Sequence, residues 1–113
     1  MFILRFDFRL KSDSSATMGD LYNASLNMCE WGERNGAMTV MFSEHHTSPD
    51  GYLPSPIIMA AAAAARTEKL TFNVGALLLL MYDPIKLAED IVVLDHLSNG
   101  RVGYTLGPVS YTH

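Results

Sequence analysis

Cysteine is nearly absent from this chain. Cys29 is the single one among 113 residues, which excludes an internal disulfide and fits a reducing compartment. Positive charge is sparse as well. Eight Lys and Arg stand against twelve Asp and Glu, for a formal charge of −4, and the basic residues are scattered. A nucleic-acid face or a surface for anionic membranes would need them clustered. Long apolar runs are missing too. Residues 74–82 fall far short of the roughly 20 a membrane helix requires. Arg5, Asp7 and Arg9 interrupt residues 2–10, leaving no apolar core for a secretory signal. A soluble, cytoplasmic protein is the expectation. There is no GxGxxG or Walker-type loop, so no dinucleotide or nucleoside triphosphate site is indicated. There is no HExxH spacing either. Cys29 is isolated, and the adjacent His45 and His46 would point to opposite faces of an extended chain, so a metal site is rejected.

What is present suits a packed α/β fold. Hydrophobic residues make up 49% of the chain, enough for a core. Residues 2–10 alternate apolar and charged, a strand period. Thr17 reads as a helix N-cap with Asp20 in the first turn, and Asn35-Gly36 as the helix stop. Residues 38–43 form a second strand, followed by a polar loop over 46–53. Ser55-Pro56 opens a second helix through the six alanines Ala60 to Ala65. Residues 70–80 are a third strand. Asp83-Pro84 opens a third helix, which carries Ile85, Leu87, Ala88, Ile91, Val92 and Leu94 and stops at Asn99-Gly100. A fourth strand begins over 102–106. Strands separated by helices imply parallel crossovers.

The strand faces bear on the architecture. Phe2, Leu4, Phe6 and Phe8 oppose Ile3, Arg5, Asp7 and Arg9. Met38, Val40 and Phe42 oppose Ala37, Thr39, Met41, Ser43 and His45. Leu70, Phe72 and Val74 oppose Thr71, Asn73 and Gly75, and Val102, Tyr104 and Leu106 oppose Gly103, Thr105 and Gly107. Each strand has one greasy face and one small or polar face. A doubly wound sheet tends to be apolar on both. A barrel can be apolar toward its helices and polar inside. The pattern favours a barrel, with an open flavodoxin-like sheet as the alternative.

Glu44-His45-His46 falls where the second strand ends, the edge at which parallel barrels place their active sites. His45 shares parity with the polar face and is expected to point into the lumen, with His46 turned away. An imidazole there suits proton transfer near neutral pH. Two loop histidines bonded to backbone are the plainer explanation, and the strand-end position sets the two readings about level. Gly75 interrupts a bulky strand and suits a bulge or a close backbone approach by a ligand, although local packing relief explains it on spacing alone. Gly103 and Gly107 admit the same two readings.

Taken together, Ser43-Glu44-His45-His46, Asp50-Gly51-Tyr52-Leu53-Pro54-Ser55-Pro56, the alanine helix, Asp83-Pro84-Ile85-Lys86-Leu87-Ala88-Glu89-Asp90, and Leu94-Asp95 with Ser98-Asn99-Gly100-Arg101-Val102 resemble the luciferase-like flavin-dependent oxidoreductases. The likeness covers nearly the whole chain up to Gly107. It implies the N-terminal half, about four β/α units, of a (β/α)8 TIM barrel, with reduced flavin at the C-terminal mouth. The flavin would be FMN or, alternatively, the deazaflavin F420. It implies His45 in acid/base work. It also implies a bulge with a non-prolyl cis peptide at the end of the third strand, matching Gly75-Ala76-Leu77-Leu78, with Leu77-Leu78 the expected bond. Gly75, Ala76, Leu77, Leu78 and Gly107 are then the expected cofactor-binding residues.

The implied activity is a monooxygenase that uses reduced FMN and oxygen to oxidise a small organic substrate. A separate flavin reductase would supply the flavin, and the full-length enzyme would be a homodimer through the alanine helix and the third helix. The alternatives are F420-dependent hydride transfer on the same barrel and a non-catalytic paralogue serving as a dimerisation partner. The pattern breaks after Gly107, where the family continues with a glycine-rich run. Val109-Ser110-Tyr111-Thr112-His113 matches the translation of a sequencing-library transposon adaptor. Residues 1–107 are therefore expected to be the barrel part and 108–113 a non-native tail. Such a truncated chain, without the later strands that carry the barrel's phosphate site, is expected to be inactive alone.

Overall fold

The computed structural model describes residues 1–107. Its elements are β1 (Phe2–Phe6), α1 (Met18–Arg34), β2 (Ala37–Phe42), α2 (Pro56–Ala65), β3 (Thr71–Leu78), a 3-10 turn (Leu79–Met81), α3 (Pro84–Ser98) and β4 (Val102–Gly107). The expectation of a foreign tail at 108–113 lies outside the described residues.

Local chemistry explains the helix ends. Thr17 Oγ1 accepts from the Asp20 N–H at 3.1 Å, and the Asp20 carboxylate accepts from the Thr17 N–H at 2.9 Å, a reciprocal capping box. Asp83 accepts from the N–H groups of Ile85 and Lys86 ahead of Pro84. Ser55 differs from expectation. Its side chain makes no cap bond, and Pro56 sets the start of α2. Asn99 ends α3 in the left-handed region at φ 55°, where asparagine is tolerated.

Two strands are shorter than their sequence patterns. β1 stops at Phe6 because Asp7 turns the chain: its carboxylate accepts from the Arg9 N–H at 3.3 Å, and Phe8 sits at φ 58°. The apolar alternation nevertheless carries past the strand, since Phe8 is buried against Tyr22 and Phe42. β3 ends at Leu78, and the expected strand residues Leu79 and Leu80 form the 3-10 turn.

The sheet is parallel throughout, in the order β1-β2-β3-β4. That order decides between the two architectures. A doubly wound sheet reverses direction at a switch point. Crossovers of one hand in unreversed order keep every helix on the same face, as a barrel requires. The core lies on that face. Val40, Phe42, Phe72, Val74 and Leu77 pack with Met59, Ala60, Ala63, Leu87 and Leu94 from the helices. On the other face Arg5, Met41, Asn73 and Gly103 lie in register across the strands.

At the end of β3 the ladder to β4 skips one residue. Gly75 pairs with Thr105 and Leu77 with Leu106, leaving Ala76 as the bulge. The non-prolyl cis peptide is Gly75-Ala76, not Leu77-Leu78. The irregular bond leads into the unpaired residue, and by Leu77 regular pairing with β4 has resumed.

The opposite edge is held by polar clamps. The Glu33 carboxylate accepts from the N–H groups of Glu68, Lys69 and Leu70, the last two at 2.7 Å. Burial pushes this carboxyl up, but the three backbone donors outweigh burial and hold it below its ordinary value. A depressed carboxylate stabilises the fold above its unfolded pKa, and the gain is lost as pH falls through the folded value. Glu33→Gln should therefore lower the urea midpoint at pH 7, with the gap to wild type closing below about pH 4. A gap unchanged at pH 3 would show that the carboxylate's charge does not matter.

Candidate functional site

The loops that follow the strands gather at the C-terminal edge of the sheet. β2 delivers Ser43, Glu44, His45 and His46 there. Asp7 and Arg9 follow β1, Gly75 to Leu78 end β3, and Gly107 ends β4.

The two imidazoles take different partners. His45 is exposed, and its ring stacks on Tyr52 at 3.6 Å between centroids. The Arg9 guanidinium lies over the same Tyr52 ring, 4.7 Å from its centroid. The His45 N–H donates to the Leu53 carbonyl at 2.8 Å, which pins the loop beside it. Arg9 is anchored in turn by a 2.8 Å ion pair with Asp7. Desolvation at the stack holds the His45 imidazole below its usual pKa, helped by the Arg9 cation and by His46 and opposed by Glu44. Its neutral form is thereby favoured. Arg9→Gln removes one of the depressing charges, so the His45 titration followed by NMR should move up. A downward or absent shift would show that the Arg9 charge does not act on the imidazole.

His46 is bound to Glu44. Its Nε2 pairs with one oxygen of the Glu44 carboxylate, whose side chain is fully buried. The other Glu44 oxygen accepts from the Leu78 N–H at 3.0 Å and from the Tyr82 O–H at 2.9 Å. Burial, then the bond to Glu44, pushes the Tyr82 phenol well up, so it remains a donor.

Small residues, Gly75, Ala76 and Gly107, lie near the ends of β3 and β4. A Cβ on Gly107 would lie 2.6 Å from the Ala76 Cβ, and one on Gly75 would lie 2.7 Å from Asn73 Oδ1. Thr105 donates to the same Asn73 oxygen at 3.3 Å. Gly75, Ala76, Leu77, Leu78 and Gly107 thus come together, with Leu78 paired to Gly107. His45 is on the neighbouring strand's loop. Neither Gly75 nor Gly107 has room for a Cβ, so a flat ring approaching the β3 bulge would meet main chain there.

Sequence reasoning missed three participants. Glu44 enters the sequence reading only as part of the Glu44-His45-His46 run, with no role of its own. Its parity with Val40 and Phe42, on the greasy face, was the available signal, since a charge on an apolar face needs partners. Tyr52 and Arg9 gave no comparable signal, because their meeting depends on the loop path after β1 and β2.

The profile described as "Luciferase-like monooxygenase" matches residues 3–113. The chain belongs to that family. Limonene 1,2-monooxygenase of Rhodococcus erythropolis is 33% identical over 98 residues, which are 87% of this chain and 25% of that one. The oxygenase component of the flavin-dependent trigonelline monooxygenase of Acinetobacter baylyi is 28% identical over 99 residues, 86% of this chain and 28% of that one. Among solved structures, the oxygenating constituent of 3,6-diketocamphane monooxygenase from Pseudomonas putida, in complex with FMN, superposes with a TM-score of 0.83. It is 28% identical, with 96% of this chain and 29% of that one covered. The chain therefore spans about a quarter to a third of the length of these relatives, which are monooxygenases, and the fold is the N-terminal part of their barrel. No helix among the described residues is long and apolar enough to cross a membrane.

Proposed function

We propose that this chain forms the first β/α units of a flavin-dependent monooxygenase that oxidises a small organic substrate, with FMN seated against Gly75 to Leu78 and Gly107. The observation that carries the reading is the bulged, glycine-flanked end of β3, with His45 on the loop after the adjacent strand and its ring nitrogens without a hydrogen-bond partner among the described residues. Bound in its reduced form, FMN would supply the two electrons that let one atom of oxygen enter the substrate while the other leaves as water.

This chain's own residues would do three things. The backbone of Gly75 to Leu78 would support one side of the ring. The neutral imidazole of His45, its plane fixed by Tyr52, would accept and return a proton. The apolar surround of the bulge, with Leu77 fully buried, would help keep water from the ring. The phosphate end of the cofactor falls to later strands, as in other barrels of this architecture. The two relatives described as oxygenating components favour a separate reductase as the source of reduced flavin.

A homodimer is part of the same proposal. α3 turns Leu87 and Leu94 inward but leaves Ile85, Val92, Val93 and Leu97 exposed, a second apolar face suited to a neighbouring helix or subunit. Ala63 of α2 is fully buried within the chain and contributes nothing to such a surface.

The test is direct binding. The full-length protein that carries these residues should quench FMN fluorescence on titration, and should consume oxygen when supplied with reduced FMN and substrate. Tight binding of F420 with none of FMN would move the assignment to hydride transfer. Binding of neither would leave the non-catalytic paralogue.

A further inference from the structure

The geometry points to Glu44 as a positioning residue that ties the bulged end of β3 to the end of β2 and so sets the backbone the flavin would meet. The inference rests on the proposed flavin site.

The parallel ladder between β2 and β3 ends at the pair Phe42 and Val74. Beyond it, Gly75 to Leu78 are held on one side by β4, through Leu77 with Leu106 and Leu78 with Gly107. On the β2 side no ladder pair continues. Glu44 takes over there, two residues past the last pair. One of its oxygens receives the Leu78 N–H and the Tyr82 O–H, closing the bulge and the following turn onto β2. Its other oxygen is occupied by His46.

Burying a carboxylate is costly unless donors surround it. Here three donors do so, and none belongs to a lysine or arginine. An apolar side chain would fill the same space at less cost, but it could not hold the Leu78 N–H. What the carboxylate adds is a fixed position for the β3 end. The Glu44–Leu78 bond also leaves His45 unencumbered. His46 satisfies the buried acid, while His45 stacks on Tyr52.

The test uses the full-length protein and FMN as the probe. Glu44→Ala should raise the FMN dissociation constant at least tenfold in molecules that remain folded by circular dichroism. Glu44→Gln keeps an acceptor oxygen for Leu78 and Tyr82, so it should stay within threefold of wild type. A purely structural role would instead lower the melting temperature of Glu44→Ala without changing FMN affinity in the folded molecules, and that result would overturn the inference. If Glu44→Ala does not fold, Glu44→Asp is read the same way, because its shorter arm cannot span the same donors. Weakened binding supports the tie, and wild-type binding overturns it. If even the wild type binds no flavin, the proposed function falls and the tie is judged by amide exchange alone. Faster exchange at Leu78 in Glu44→Ala then supports it, and unchanged exchange overturns it.

Discussion

Replacing His45 with alanine in the full-length enzyme should lower turnover by about 10²-fold or more, the usual effect of losing a general acid or base. FMN affinity should be largely intact. His46→Ala should do much less to turnover. The difference comes from where the two rings are engaged. His46 has its Nε2 committed to the buried Glu44 carboxylate. His45 is held through its face by Tyr52 and through its backbone by Leu53, which leaves the ring nitrogens available to a substrate or an intermediate. The depressed pKa of His45 gives the prediction a pH signature. A base must be neutral, so the wild-type rate should fall as pH drops through a value below 6.5, the ordinary histidine pKa. That limb should be missing from the His45→Ala profile. Equal, small losses in the two variants would leave His45 as a loop residue, and the family membership would then describe the fold but not this residue's chemistry.

The sequence made the order of elements legible because each boundary has its own local chemistry. Thr17 with Asp20, Asp83 with Pro84, and Asn99 with Gly100 act within a few residues, and the structure realises each of them. The two-faced strands were legible for a similar reason, since period two is a property of one strand alone. What went unread depends on partners distant in sequence. Nothing near Leu70 reveals that β3 would stop at Leu78, because the bulge is defined by β4 pairing some thirty residues away. The position of the cis bond, at Gly75-Ala76 instead of Leu77-Leu78, follows that same pairing. Of the apolar residues of α3, Leu87 and Leu94 are core while Ile85 and Val92 are exposed. A hydrophobic pattern shows that a face wants cover without showing what covers it. At the site, the parity argument singled out His45. It missed that Glu44, its neighbour on the greasy side, is the residue that reaches across to the next strand.

The largest stability effect is expected at Arg101, far from that site. Arg101 lies between α3 and β4, and its guanidinium has five N–H donors in a planar fork. All five are used. Nε donates to the Ser98 carbonyl at 2.6 Å. One terminal nitrogen donates to Thr67 Oγ1 and the Leu70 carbonyl, and the other to the carbonyls of Ala64 and Thr67. The group also lies over the Phe72 ring, 5.8 Å from its centroid. Several of these acceptors are carbonyls at the C-terminal ends of α2 and α3, where a helix has no partners of its own. One side chain thereby closes two helix ends onto the starts of β3 and β4. Arg101→Leu would keep the bulk but strand those carbonyls. Hydrogen bonds to charged groups contribute about 1.5–3 kcal/mol each. Partial exposure and water that can replace some of them reduce the sum, so a loss of about 2–4 kcal/mol is expected. For a domain of this size that is a melting-temperature drop on the order of 10 °C or more. Arg101→Lys keeps the charge but has three donors on a point-like ammonium, and should recover less than half of the loss. If Arg101 were an ordinary surface residue, both variants would stay within about 0.5 kcal/mol of wild type. Urea unfolding separates the outcomes. A lysine variant as stable as wild type would mean that the charge matters and the fork does not. Because the clamp sits at the edge opposite the strand ends proposed to meet the flavin, molecules of Arg101→Leu that remain folded should still bind FMN with wild-type affinity.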